Sequence, residues 1–159
     1  MKTIKQFLLA VVLATSALSA QATVYDLGDL SSGNTFFGNN VSGSFTDTFT
    51  FSLLDNSDTS IGATPLNLNF GRFSFLNINN LSLSLFDSGD TQLSTGLDFS
   101  QSLVAGDYYL NVSGVATGYF GGLYAGGINV TPVPEAKTYT MMLLGLGLIG
   151  LIARRRRAD

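Results

Sequence analysis

The residues able to do chemistry in this chain are eleven carboxylates, eight Lys or Arg and six Tyr; there is no Cys and no His. Without His, Ser-His-Asp and Cys-His catalysis are excluded, and the commonest metal ligand is missing. Without Cys there is no disulfide scaffold and no thiolate metal site. Carboxylate, Lys, Tyr or Ser chemistry is what remains open to an enzyme. A formal net charge of −3 also excludes the basic nucleic-acid readers, so no nucleic-acid partner is expected.

The charges are segregated. Residues 23–132 hold nine Asp and one cation, Arg72, a formal charge of −8. Every other cation lies near an end: Lys2, Lys5, Lys137 and Arg154 to Arg157. Such asymmetry points to membrane-directed ends around an acidic body.

Within the body, Asp47 stands out. It shares its parity with Phe45, Phe49, Phe51 and Leu53, so it lies on the apolar face of a strand. A carboxylate there is costly unless paired or hydrogen-bonded. The structural expectation is acceptance of backbone N–H bonds, or pairing with Arg72. The functional alternative is a ligand or Ca²⁺ contact at a sheet edge. Asp55-Asn56-Ser57-Asp58 and Asp87-Ser88-Gly89-Asp90 crowd oxygen donors suited to Ca²⁺, but neither completes an EF-hand loop. Plain turns account for them, and no metal site or cofactor is expected. Paired Asp residues serve glycoside hydrolysis in some enzymes, yet the body has no Glu and no evident raised-pKa acid. Four Asn-x-Ser/Thr sequons, at Asn40, Asn80, Asn111 and Asn129, follow from an Asn/Ser/Thr-rich composition. Gly118 to Gly127 lacks the Gly-Lys-Ser/Thr ending of a phosphate loop.

The elements that must position these residues read as strands. Gly43 to Leu53 alternates strictly, Phe and Leu against Ser and Thr. Further alternation runs through Leu66 to Phe70, Arg72 to Phe75, Leu81 to Leu85 and Tyr108 to Ser113. A last strand pair is expected at Thr117 to Leu123 and Ala125 to Thr131. Turns are expected at 55–58, 79–80, 87–90 and 105–107. No segment of the body has a helical period. Several short strands separated by turns predict an all-β fold, a β-sandwich or jelly-roll-like body.

The two ends read as addresses. Lys2 and Lys5, the apolar run Phe7 to Leu18, and Ala20-Gln21-Ala22 make a secretory signal peptide, with cleavage after Ala22. At the other end, Thr138 to Ala153 is uncharged and is followed by Arg154-Arg155-Arg156-Arg157. These sixteen residues span about 24 Å as a helix. A transmembrane helix over 138–153 is expected, lengthened by snorkelling arginines that stay cytoplasmic. The competing expectation is a buried C-terminal helix of the body. Thr131-Pro132-Val133-Pro134-Glu135-Ala136 should be extended and accessible to a processing enzyme.

Val133-Pro134-Glu135, a Gly/Leu-rich apolar helix and the arginines Arg154 to Arg157 together resemble the PEP-CTERM sorting signal of Gram-negative bacteria. Ala136 stands where that motif usually has Pro. The resemblance implies an exosortase that removes or replaces the C-terminal helix. Phe45-Thr46-Asp47-Thr48-Phe49 is similar to the FxDxF motif of one family of such proteins. Leu81 to Asp87, followed by Leu103 to Gly114 with Ala-Gly-Asp-Tyr-Tyr, resembles the bacterial pre-peptidase C-terminal type of β-sandwich. That likeness implies an accessory, non-catalytic role.

The expected organisation is a signal peptide at 1–22, a β-sandwich body at 23–132 and a sorting signal at 133–159. The expected product is an exported, non-enzymatic surface or matrix protein. Its partners are the secretion translocon, signal peptidase, exosortase and, transiently, the membrane. It passes through an inner-membrane intermediate. The family resemblance implies an end point in exopolysaccharide or biofilm. The alternative is a carbohydrate- or Ca²⁺-dependent adhesive module, with Tyr108/Tyr109 or Tyr119/Tyr124 as aromatic platform and one member of each pair in the core. A glycosidase ranks third.

Overall fold

In a computed structural model, residues 21–134 and 136–155 are described. Among them the strands are β1 (Gln21–Asp29), β2 (Gly33–Val41), β3 (Gly43–Leu53), β4 (Ser57–Leu66), β5 (Leu68–Phe70), β6 (Phe73–Leu76), β7 (Ile78–Asp87), β8 (Gln92–Gly96), β9 (Asp98–Leu103), β10 (Gly106–Ala116) and β11 (Gly122–Pro132). One helix, α1 (Ala136–Arg155), follows. The described fold is all-β apart from this helix. The expected signal peptide lies almost wholly outside the described residues, Ala20 included. Ala22 falls inside β1, opposite Thr46.

Two sheets pack face to face. One has the order β1-β3-β10-β7-β8, the other β2-β11-β4-β9, and β5-β6 forms a separate hairpin. All pairings are antiparallel except β1 with β3. The strict alternation of β3 sets the interface. Phe45, Asp47, Phe49, Phe51 and Leu53 are all buried, while the residues between them face outward. Each buried Phe or Leu contributes about 1.5–3 kcal/mol relative to exposure. Phe37 of β2 meets Phe49 across the sandwich, with ring centroids 4.9 Å apart. Ile61, Leu83, Leu85, Leu110, Val112 and Ile128 complete the interior from both sheets.

Several turn and strand expectations are corrected. Asn79-Asn80 lies within β7, where the register against β10 slips between Ser113 and Val115. Asn80 has φ +54°. The turn-forming residue therefore serves a β-bulge, and the extra residue restores Ile78 and Leu81 to the same buried face. Ser57 and Asp58 open β4 rather than closing a turn. Thr117 to Gly121 is a tight turn, not a strand, and β11 is one continuous strand. The turn is pinned because a Cβ on Gly118 would lie 2.7 Å from the Leu76 Cα.

The expected transmembrane helix at 138–153 is also corrected. A helix does form there, but among the described residues no helix is long and apolar enough to cross a membrane. Its uncharged stretch is bounded by Lys137 and Arg154, and about 24 Å falls short of a hydrocarbon core of about 30 Å. The competing expectation of a buried helix fails too: residues 139–150 are all exposed.

Candidate functional site

The FxDxF residues converge on one buried arrangement between the sheets. Asp47 is 1% exposed. Its Oδ2 accepts a hydrogen bond from the Tyr124 hydroxyl at 2.5 Å and from Asn39 Nδ2 at 2.9 Å. Phe45 stacks on the Tyr124 ring with centroids 5.6 Å apart. Phe49 lies between Phe37 and Tyr25, at 4.9 and 5.2 Å. The pentapeptide thus joins β3 to β2 and β11 of the opposite sheet through two aromatic contacts and two hydrogen bonds. Burial pushes the Tyr124 hydroxyl far above its ordinary pKa, and the hydrogen bond to Asp47 adds to the shift. Among the described residues Asp47 Oδ1 is buried without a hydrogen-bond partner.

Both structural expectations for Asp47 are corrected in detail. Its partners are a phenol and an amide, not backbone N–H groups and not Arg72. Arg72 is exposed in the turn between β5 and β6, where Gly71 has φ +59°. The sheet-edge expectation fails as well, because β3 is internal to its sheet.

The acidic turns are used locally. Asp87 Oδ1 accepts from Gly89 N at 2.9 Å and Thr91 N at 2.8 Å. Asp90 Oδ1 accepts from the Tyr109 hydroxyl at 2.7 Å, and this bond is the main reason the Tyr109 pKa is raised. Asn56 Oδ1 accepts from Ala105 N at 3.0 Å, and Asp58 Oδ1 from Ser102 Oγ at 2.5 Å. Among the described residues no group of three or more His, Cys, Asp or Glu side chains could hold a metal ion.

The tyrosine pairs divide as expected. Tyr108 and Tyr124 are buried, whereas Tyr109 is half-buried and Tyr119 is exposed. The Tyr108 hydroxyl donates to the Val104 carbonyl at 2.8 Å, tying the start of β10 to the preceding corner. Burial raises its pKa, opposed by that backbone bond.

An aromatic surface lies at one end of the sandwich, and of its residues the sequence reading offered only Tyr119 as part of a platform. The β5-β6 hairpin presents Phe70 and Phe73, and the 117–121 turn presents Tyr119 and Phe120. The turn docks on β6 by Tyr119 N to Ser74 O and Phe120 N to Phe75 O, both 2.9 Å. The rings form a row: Phe70 to Phe75 at 5.9 Å, Phe75 to Phe120 at 5.9 Å and Phe120 to Tyr119 at 5.0 Å. The clue available in the sequence was six aromatics within 70–75 and 119–124 beside the one body cation.

At the opposite end, β11 finishes at Pro132 and Val133 N donates to Asn56 O at 2.8 Å. Val133 and Pro134 are exposed; Glu135 lies outside the described residues. The helix α1 then presents Met141, Met142, Leu143, Leu144, Leu146, Leu148 and Ile149, all more than half exposed. Consecutive positions are apolar, so the apolar surface runs around the helix and not along one stripe. Arg155 is exposed at its end, and Arg156 and Arg157 lie outside the described residues.

No curated protein matches the chain. Among solved structures, PliG of Aeromonas hydrophila, a periplasmic inhibitor of g-type lysozyme, is 9% identical with a TM-score of 0.46; the match covers 70% of this chain and 100% of that one. The pre-peptidase C-terminal domain of Bacillus anthracis collagenase is 19% identical, with a TM-score of 0.44 and 70% and 96% coverage. PliG of Salmonella Typhimurium is 14% identical, with a TM-score of 0.42 and 67% and 99% coverage. At these scores the likeness carries no inference about ligand or activity. Residues 132–157 match the PEP-CTERM protein-sorting motif, which supports an exosortase-targeted, exported protein.

Proposed function

We propose that this chain is a non-catalytic surface or extracellular-matrix protein of the FxDxF type. It is made with a signal peptide at 1–22, processed by exosortase near Pro134-Glu135, and released with its β-sandwich intact. Exopolysaccharide or biofilm is its end point. The observation that carries this reading is the separation of the sorting tail from the folded body. Residues 139–150 are exposed, and among the described residues the last backbone hydrogen bond of the body before α1 is Val133 N to Asn56 O. Removing residues 139–150 therefore takes away no buried side chain. The apolar surface around α1 suits transient engagement with the membrane before processing.

The non-catalytic reading draws support from the carboxylates. Asp47 is sealed between the sheets, and Asp58, Asp87 and Asp90 are engaged in turns and cross-strand bonds. Intact-mass spectrometry of the secreted protein tests the reading. The expected mature form starts near Thr23 and ends near Pro134. A secreted form still carrying Arg154 to Arg157 would refute it.

A further inference from the structure

We infer that the folded body is part of what exosortase binds: it holds Thr131 to Pro134 as an extended strand with one edge open, and the enzyme docks on that edge. The sorting match begins at Pro132, which is still the last residue of β11. Beyond it only Val133, Pro134 and Glu135 separate the ladder from α1 at Ala136. An enzyme that cuts near Pro134-Glu135 and grips a few residues before the cut therefore has to take residues that belong to the sandwich. Those residues are paired on one side only. Thr131 pairs with Asp58, Pro132 pairs with Ser57, and Val133 N donates to Asn56 O at 2.8 Å. On the other side β2 begins at Gly33, opposite Val130, and goes no further along β11. All four residues from 131 to 134 are exposed.

The chemistry of the open edge selects its occupant. Successive residues of an antiparallel strand turn their N–H and C=O groups to opposite sides. Val133 turns its N–H to the β4 side, so Pro132 turns its carbonyl to the open side, where its ring nitrogen has no hydrogen to offer. Pro134 follows at the same parity. The edge thus presents acceptors without donors. A strand from a second copy needs both to extend the sheet, and proline guards the edge against it. A peptidase cleft that supplies the donors takes this edge by strand addition and leaves no donor of it unpaired. Asn56 is the positioning residue. Its carbonyl holds Val133, and its Oδ1 accepts from Ala105 N at 3.0 Å, which fixes the β3-β4 connection against the corner before β10. The substrate strand is therefore ordered by the ladder before the enzyme meets it.

The inference rests on the reading that exosortase processes the chain near Pro134-Glu135. Its test follows removal of the tail from the full chain by purified exosortase in detergent, with initial rates separating kcat from KM. A Gly-Ser-Gly-Ser insert between Pro132 and Val133 keeps the motif, α1 and the arginines at their own spacing but frees them from the ladder. It should raise KM about tenfold and leave kcat within about twofold, because the strand then has to be ordered at each encounter. Asn56→Ala should raise KM about threefold, and Asn56→Asp, which keeps an Oδ acceptor for Ala105 N, should restore it. Thermal melts show that the variants fold, and the insert leaves every pair of β11 with β2 and β4 in place. An insert variant with the KM of the wild type shows that the enzyme reads the tail alone. One processed faster than the wild type shows that the body obstructs the enzyme. Either result overturns the inference and leaves the processing reading standing. A KM unmoved by Asn56→Ala overturns the role given to Asn56. No removal of the tail from the wild-type chain overturns the processing reading, and the inference with it.

Discussion

The Tyr124 hydroxyl donates to Asp47 Oδ2 at 2.5 Å across the interior of the sandwich, tying β11 of one sheet to β3 of the other. The two residues are 77 positions apart in the chain. Asn39 Nδ2 shares the same acceptor oxygen from β2. One carboxylate therefore satisfies a buried donor and a half-buried donor of the opposite sheet.

Asp47→Ala should strip both donors of their acceptor at once. The buried Tyr124 hydroxyl, once orphaned, costs about 1–3 kcal/mol, and the half-buried Asn39 amide less. A loss of roughly 3 kcal/mol lowers Tm by more than about 10 °C in a domain of this size. Urea or thermal denaturation of the variant measures it. A double-mutant cycle with Tyr124→Phe should show a coupling of about 1–3 kcal/mol, because the partners share one bond. Additive effects would show that the Tyr124–Asp47 contact does not stabilise the fold.

Tyr124 also makes stability depend on alkaline pH. Burial first, then the Asp47 hydrogen bond and the charge of Asp47, raise its pKa in the folded chain above the ordinary value near 10.0. In the unfolded chain the phenol ionises at that ordinary value. Its contribution is therefore complete below about pH 10 and is lost as pH rises from there towards the folded pKa. The slope is about 1.4 kcal/mol per pH unit for one such group. Thermal melts at pH values on either side of 10 should show the fall. Tyr124→Phe should flatten it at the cost of lower stability throughout. An equal slope in wild type and Tyr124→Phe would contradict the assignment.

Sequence alone carried the apolar face of β3 because Phe45 to Leu53 alternates without interruption, and it marked Asp47 as buried by parity. The partner was out of reach. Arg72 was the obvious cation, but it rides on a projecting hairpin, and Tyr124 reaches Asp47 only through a sheet register that no local pattern encodes. β2 escaped for a related reason. Gly33 to Val41 is rich in Gly and Asn, which locally favour turns, and it is held as a strand by pairing along β11. Of the aromatic surface at the hairpin end, sequence singled out Tyr119 alone; the hairpin part escaped because Leu66, Leu68 and Phe70 alternate like core residues yet are all exposed. Alternation reports a two-faced strand; it does not say which face meets a second sheet.

Packing beneath Phe37 gives a third prediction. Gly126 of β11 faces the Phe37 ring, and a Cβ there would overlap that ring and lie 2.6 Å from the Gly62 carbonyl oxygen. Phe37 cannot retreat, because its other side meets Phe49. Gly126→Ala should therefore destabilise by roughly 1–3 kcal/mol through overpacking. Gly28→Ala is the comparison. Its Cβ would meet nothing within 4 Å, so its cost comes from the φ of +70° alone. A stability equal to wild type in Gly126→Ala would mean that the sheets can separate locally at no cost.

The tail supplies the last prediction. Between the body and α1 the described backbone makes one bond beyond β11, from Val133 N to Asn56 O. None of residues 139–150 is buried against the sandwich. Ending the chain after Pro134 should thus leave the body's stability within about 0.5 kcal/mol of the longer form, as for a surface change that removes no buried contact. Ending it after Thr131 is different. It removes the Val133 bond and Pro132, which pairs with Ser57 at the end of β4, so the last turn of the ladder frays. Melting curves of the two truncations compare them directly. Equal loss in both would mean that the tail supports the fold, and cleavage near Pro134-Glu135 would then release a weakened body.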